Sequence, residues 1–376
     1  MVWSMQTPDT DAKRYARIRY RLLVIELIGW LLFLVAYQAG GVSRAMALWA
    51  SSWTSHESLR LLGYLAVFGI ISYLIFIPLR VYSGFLLEHR FGLSRLTFPR
   101  WVWREAKHLL VSATFSLGIF EGLYALLRYA PRSWPIFATI GWVGVSVGLA
   151  RVFPTWLLPI FYKISPVHDE ALGQRLLALC RRAGLSALGV FRVALGAETR
   201  KANAALAGLG RTRRVLLSDT LLEHFTPDEI ETVLAHELGH QRYRHLLKLL
   251  ILSGVGSWAV FSLMAAGSGT WLSRLGVHGL ADIAGFPLVL LSLSLMGLAG
   301  LPIQNAISRH FEWQADRFAV AVTERPSAFA GALRKLGELN LADPQPPRWV
   351  ELLFYDHPPI QQRIQAAEAT SAPRVS

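Results

Sequence analysis

His236 and His240 stand four residues apart around Glu237 in the run Ala235-His236-Glu237-Leu238-Gly239-His240. On a helix that spacing puts both imidazoles on one face, a turn apart. Two neutral imidazoles fill half of a tetrahedral zinc shell, and the neighbouring glutamate reaches a metal-bound water. The chemistry this suits is hydrolysis of a peptide bond: zinc polarises the carbonyl and acidifies the water, while Glu237 shuttles the proton. About one chain in a hundred of this composition would carry H-E-x-x-H by chance, so context has to decide. Thr226-Pro227-Asp228-Glu229 reads as N-cap, first-turn proline and capping-box glutamate. Ile230, Val233 and Leu234 give the helix that follows an apolar face. The rival reading is a helix with satisfied surface histidines.

A catalytic zinc takes three protein ligands and leaves one position for water. His245 is near, but it falls five residues past His240 and lacks the metzincin glycine. The better candidate is Glu312, in Arg309-His310-Phe311-Glu312-Trp313-Gln314-Ala315-Asp316. The motif helix feeds an apolar segment about nine residues after His240, roughly 14 Å of helix. A second apolar segment returns the chain to the same side and delivers Glu312 about five residues beyond its end. Asp316, one turn later, is placed to accept the second N–H of a zinc histidine. The rival reading for both acids is a solvated helix face shared with Arg309 and Arg317.

The elements that must position these residues are mostly membrane helices. Of 376 residues, 53% are hydrophobic and 17% charged, with a mean hydropathy of +0.37. That is too apolar for an ordinary soluble enzyme. Six segments are long enough to cross a bilayer: Leu22–Tyr37, Leu61–Leu79, Leu109–Leu127, Trp134–Ala150 (with an extension to Tyr162), Leu249–Leu272 and Ile283–Ile307. Glu26 and Glu121 interrupt the first and third, and are expected to face protein or water rather than lipid.

The net charge of +13 does not imply nucleic acid, because its distribution alternates. Lys13, Arg14, Arg17, Arg19 and Arg21 precede the first segment, and Arg80, Arg90, Arg95, Arg100, Arg104 and Lys107 separate the second from the third. The opposite loops hold few basic residues. This positive-inside pattern places both termini and the H-E-x-x-H segment in the cytoplasm. Trp101, Trp103, Trp134 and Trp271 are expected as interfacial aromatics. The single cysteine, Cys180, excludes an intramolecular disulfide and reads as a small buried apolar residue.

The expected fold class is mostly α: a polytopic membrane bundle of about six spans with a cytoplasmic gluzincin-type zinc metalloprotease domain containing a small β-sheet. Residues 1–165 form the N-terminal membrane-spanning domain, 166–365 the metallopeptidase domain and 366–376 a disordered tail. Within the second domain, Asp169–Ala183 is an amphipathic helix closed by Gly184. Val190–Leu195 is a strand, and Ala204–Gly210 with Val215–Leu217 form a hairpin about a basic turn.

Ala202-Asn203-Ala204, Ser218-Asp219-Thr220-Leu221-Leu222, the H-E-L-G-H run, Glu312 with Ala315-Asp316, and His357-Pro358-Pro359 with Arg363 occur in an order that resembles the type I CAAX prenyl endopeptidases. Phe91-Gly92-Leu93-Ser94 and Pro159-Ile160-Phe161 resemble landmarks of that family's membrane half. The resemblance covers roughly residues 75 to 365, although Glu198-Thr199-Arg200 stands where a serine is expected and six spans replace seven. It implies an integral membrane endopeptidase with one zinc ion, whose spans surround a water-filled chamber. It further implies that Asn203 and Ala204 bind substrate backbone and that His357 stabilises the oxyanion. The rival readings are a turn asparagine and a loop histidine. The function expected is cleavage of lipid-modified (CAAX-prenyl-like) or membrane-associated peptides and proteins, with membrane lipids as the other partner. The alternative is a quality-control protease for damaged membrane proteins; a non-hydrolytic scaffold is opposed by the complete acid, base and metal set.

Overall fold

The computed structural model describes residues 8–208 and 213–370, without the side chains of 8–10, 268–271, 273 and 274. Helix α1 (Pro8–Ala39) turns at Gly40-Gly41 into α2 (Val42–Trp53). The left-handed φ of 73° at Gly41 is why a glycine stands there. Twelve residues are too few to span a bilayer, and hydropathy does not predict α2. It is held by its small face, where the buried Ser43 hydroxyl meets the Tyr64 hydroxyl at 2.6 Å and donates to the Ala284 carbonyl at 2.7 Å.

Helix α3 (Glu57–Val81) continues through a π-helical turn at Tyr82–Leu86 into α4 (Leu87–Arg90). The basic stretch between the second and third apolar segments is therefore largely helix, and residues 91–97 link it to α5 (Phe98–Tyr129). Helix α6 (Trp134–Val152) likewise runs through a π-helical turn, Phe153–Leu157, into α7 (Leu158–Phe161). Pro154 and Pro159, which cannot donate to a regular helical ladder, sit where that ladder is interrupted.

Strand β1 (Ile164–Pro166) lies across the expected domain boundary. Next come α8 (Glu170–Arg182), β2 (Val190–Val193), β3 (Ala204–Ala207) and β4 (Arg214–Ser218). Asp169 caps α8 by accepting from Leu172 N at 2.9 Å, and Gly184 closes it at φ 73°. The strands form one sheet in the order β1-β2-β4-β3, with β2 and β4 parallel and the outer pairs antiparallel. The β3–β4 hairpin is as expected, while its tip at 209–212 lies outside the described residues. β3 is left as an edge strand.

Helices α9 (Asp219–His224), α10 (Pro227–Arg242), α11 (His245–Arg274) and α12 (Phe286–Thr323) follow. The last three helices are α13 (Pro326–Asn340), α14 (Arg348–Phe354) and α15 (Ile360–Ala369). α15 corrects the expected tail: residues 366–369 extend a helix that buries Ala367, and residues 371–376 lie outside the described residues.

Among the described residues, six helical stretches are long and apolar enough to cross a membrane, within Asp11–Ala39, Glu57–Arg90, Phe98–Tyr129, Trp134–Phe161, His245–Gly267 and Ile283–Thr323. The protein is thus a mostly helical, multi-pass membrane protein with a small mixed sheet. One core, including Leu34, Leu61, Tyr64, Phe68, Tyr124 and Phe286, joins the far ends of the spans. Another packs α8, the sheet, α10, α13 and α15 together, with Leu176, Leu217, Leu234 and Phe329 among its buried members. Cys180 lies in that second core, where burial raises its thiol pKa.

Two of the tryptophans at span ends are buried in protein. Trp101 packs against Phe85 and Phe98, and Trp134 against Phe261. Trp103 is exposed, and the side chain of Trp271 is outside the description. Glu121 lies 3.6 Å from Arg128, which also pairs with Glu57 at 3.1 Å, whereas Glu26 is exposed on α1.

Candidate metal centre and active site

Helix α10 starts with the capping box the sequence predicts. Thr226 Oγ1 accepts from Glu229 N at 3.3 Å, and Glu229 Oε2 accepts from Thr226 N at 2.7 Å. The apolar side of α10 then buries Ile230, Leu234 and Leu238, while His236 and His240 meet α12. α12 is 38 residues long, about 57 Å at the usual rise, nearly twice a bilayer's hydrocarbon thickness. Its C-terminal part therefore projects beyond the membrane and carries Glu312 and Asp316 alongside α10. Neither acid is on a solvated face: both are buried.

His236, His240 and Glu312 each offer a ligand atom within 4.8 Å of the others. His240 Nε2 is 3.1 Å from Glu312 Oε1, His236 Nε2 is 3.3 Å from Glu312 Oε2, and the two ring nitrogens are 3.1 Å apart. On the far side of the first ring, His236 Nδ1 lies 2.8 Å from Asp316 Oδ1. Arg363 Nη2 approaches the same nitrogen at 3.5 Å. The shorter contact wins, and the ring proton belongs on Nδ1 facing the carboxylate. That leaves Nε2 as a bare lone pair directed at His240 and Glu312. Glu312 Oε2 is moreover a buried oxygen with no hydrogen-bond partner among the described residues. Unshared lone pairs and a carboxylate converging in a buried place fit a cation, and two imidazoles with one carboxylate fit zinc with one position open. Without a cation, burial disfavours a charged His236, but the Asp316 and Glu312 carboxylates outweigh it and raise the ring's pKa to about 9.

Asp316 is itself held in a fork. Arg363 donates from Nε to Oδ2 at 2.8 Å and from Nη2 to Oδ1 at 2.6 Å. Arg363 stands on α15, 47 residues away in sequence, and no local pattern links it to Asp316. Glu237 is half-buried and makes no hydrogen bond or ion pair among the described residues.

His357 lies in the loop between α14 and α15, with Nε2 3.4 Å from Glu312 Oε1. Asp356 Oδ1, 2.7 Å from Nδ1, raises the His357 pKa against the effect of burial, and the same contact holds Asp356 below the usual carboxylate range. α12 fixes this loop from below. Asn305 Nδ2 donates to the Leu353 carbonyl at 2.7 Å, and Arg309 Nη1 to the carbonyls of Glu351 and Tyr355 at 2.8 and 2.6 Å. These are the open carbonyls at the end of α14.

Asn203 has an exposed side chain just before β3, and Ala204 opens that strand. Their backbone is clamped from several sides. Asn340 Oδ1 accepts from Ala202 N at 3.0 Å, Ser218 Oγ accepts from Asn203 N at 3.0 Å, and Thr220 Oγ1 donates to the Lys201 carbonyl at 2.8 Å. Upstream, Arg200 N donates to the Leu93 carbonyl at 3.1 Å and Arg95 N to the Glu198 carbonyl at 2.8 Å. The loop after α4 thus ties the membrane part directly to the segment before β3. The structure brings His236, His240, Glu312, Asp316 and His357 into one cluster and sets Asn203 and Ala204 on the free sheet edge.

Residues 166–371 match the model of peptidase family M48, and residues 8–163 match the model described as CAAX prenyl protease N-terminal, five membrane helices. Over those residues this chain has four helices long enough to cross, plus α2. The chain is similar to the uncharacterized metalloprotease YhfN of Bacillus subtilis (strain 168), at 28% identity over 95% of this chain and 84% of that protein. It is also similar to CAAX prenyl protease 1 of Saccharomyces cerevisiae, at 26% identity over 82% and 72%. Its fold is that of S. mikatae Ste24p, with a TM-score of 0.85 at 23% identity, covering 96% of this chain and 89% of that one. With the match to the M48 model running from β1 to the end of α15, the chain belongs to peptidase family M48 and is a membrane zinc metallopeptidase.

Proposed function

We propose that this enzyme cleaves peptide bonds near the lipid-bearing, CAAX-like end of membrane-associated substrates, from the cytoplasmic side. The observation that carries the reading is the convergence of His236 and His240 of α10 with Glu312 of α12 beside the uncommitted carboxylate of Glu237. Zinc, when held there, supplies Lewis acidity to the scissile carbonyl and to the attacking water. Glu237 takes the proton from that water and hands it to the leaving amine nitrogen. His357, whose pKa the Asp356 carboxylate raises, donates to the developing oxyanion. Asp316, braced by Arg363, holds the His236 ring.

The substrate lies along β3, whose free edge offers backbone groups to an extended peptide, with Asn203 at its entry. A cavity of about 300 Å³ lined by Leu149, Phe153, Leu206, Ala207, Gln241 and Leu246 opens beside that strand and suits an apolar side chain next to the scissile bond. In the most apolar windows of α5, α6 and α11 no more than 6% of the residues are buried, so these spans offer broad apolar faces to a lipid-bearing segment. The basic residues flanking the first three spans support a cytoplasmic site. The test is mass spectrometry of products from one C-terminal peptide, farnesylated and unmodified, given to the purified enzyme. A higher kcat/KM for the farnesylated peptide is expected. Equal values for both would leave a membrane peptidase without lipid recognition.

A further inference from the structure

Five residues on a continuous helix would place the His245 side chain about 140° away from His240. The chain does not continue as one helix there. Arg244 takes a left-handed φ of 53° between the end of α10 and the start of α11. That break folds the His245 ring back against His240. The ring is 1% exposed and stacks on Phe311 with centroids 4.2 Å apart and planes within 5°. His245 Nδ1 is 3.0 Å from His240 Nδ1, and its Nε2 is 3.0 Å from Gln314 Oε1. Gln314 Nε2 is in turn 2.9 Å from His310 Nε2.

We propose that His245 and Gln314 are positioning residues, a neutral hydrogen-bond relay that fixes His240 with its proton on Nδ1 and its Nε2 lone pair turned to the metal position. This rests on His240 being a metal ligand, as proposed above. An amide oxygen can only accept, so the proton of neutral His245 is on Nε2. His245 Nδ1 is then a bare acceptor, and the only hydrogen available for the 3.0 Å contact is on His240 Nδ1. His240 Nε2, 3.1 Å from Glu312 Oε1, is left without a proton. The direction of the relay matters. If the Gln314 amide were reversed, its nitrogen would donate to His245, His245 would donate to His240, and the proton would fall on His240 Nε2, blocking it as a ligand. The Gln314 amide nitrogen is kept outward by His310 Nε2, which accepts from it. The two candidate histidine ligands are therefore oriented by different chemistry: His236 by the Asp316 carboxylate and His240 by an uncharged imidazole–amide chain.

The test uses the full-length protein in detergent. His245→Phe keeps a ring against Phe311 and removes both nitrogens; zinc affinity, measured by competition with a chromophoric chelator, should fall about 10- to 100-fold. The visible spectrum of the cobalt form should shift, while the metal-free protein keeps its melting temperature. Gln314→Leu, at a half-buried position less critical to the core, should lower zinc affinity in the same direction and move the imidazole N–H resonances in NMR of histidine-labelled protein. Wild-type zinc affinity and an unshifted cobalt spectrum in either folded variant would overturn the relay. If the wild-type protein itself binds no zinc, the metal-site reading fails instead, and the two failures are told apart.

Discussion

Gly239 of α10 and Ala315 of α12 meet so closely that a β-carbon on residue 239 would lie 2.9 Å from the Ala315 α-carbon. The contact is backbone against backbone, so no side chain can swing away to relieve it. It sets the spacing between the helix that carries both histidines and the helix that carries Glu312.

Gly239→Ala should therefore destabilise the protein by about 1–3 kcal/mol through overpacking. Helix propensity alone would act the other way, favouring alanine by up to about 1 kcal/mol. The sign of the change in melting temperature thus measures the close approach, and zinc affinity should fall with it. A variant that melts higher than wild type would contradict the account.

Asp316→Asn should lower zinc affinity about 10- to 100-fold while leaving the site able to form. Arg363→Ala should cost about 3 kcal/mol, because it takes the two-pronged guanidinium from the buried Asp316 carboxylate and leaves it only the His236 ring. Arg363→Lys should recover little, since one ammonium cannot reproduce the fork on both oxygens. Denaturant unfolding of the metal-free proteins, together with zinc titration, checks all three.

Glu231 provides a control on the same helix. It is 4% exposed and accepts from Arg175, Arg182 and Arg325, whose side chains are partly solvated. Glu231→Gln should cost about 1–2 kcal/mol, at the low end for charged hydrogen bonds because the arginines are screened. Its zinc content should match wild type. Loss of zinc in this variant would mean that the end of α10 and its metal face are not independent.

Much of this arrangement is legible in the chain, and the exceptions have physical causes. The capping box, apolar face and histidine spacing of α10 are local, so they survive reading without a structure. Glu312 could be found because two apolar segments after the motif return the chain to its starting side. Arg363 could not be joined to Asp316, because an ion pair between distant helices leaves no periodic trace. His245 stays outside the ligand set, as its spacing predicts, but its approach to His240 leaves no sequence trace because a single left-handed residue, Arg244, breaks the helix on which that spacing is counted. α2 carries no span signal because it is only 12 residues long and includes Arg44 and three serines. The burial of Trp101 and Trp134 leaves no sequence signal either, because a ring at a span's end looks the same whether protein or lipid covers it.

The orientation in the membrane has its own test. Leu188 is 62% exposed in the loop before β2, and Cys180 is buried. A single cysteine at 188 in a Cys180→Ala background should resist a membrane-impermeant thiol reagent in intact cells and react once the membrane is opened. Labelling in intact cells would place the sheet on the other side.

The most direct measurement is zinc content and peptide cleavage on the same preparations of wild type, Glu237→Gln and Glu312→Ala. The account predicts that Glu237→Gln keeps its zinc and loses turnover, whereas Glu312→Ala loses both. Stoichiometric zinc in Glu312→Ala would remove that residue from the shell, and undiminished cleavage by Glu237→Gln would remove the proposed base and contradict the mechanism.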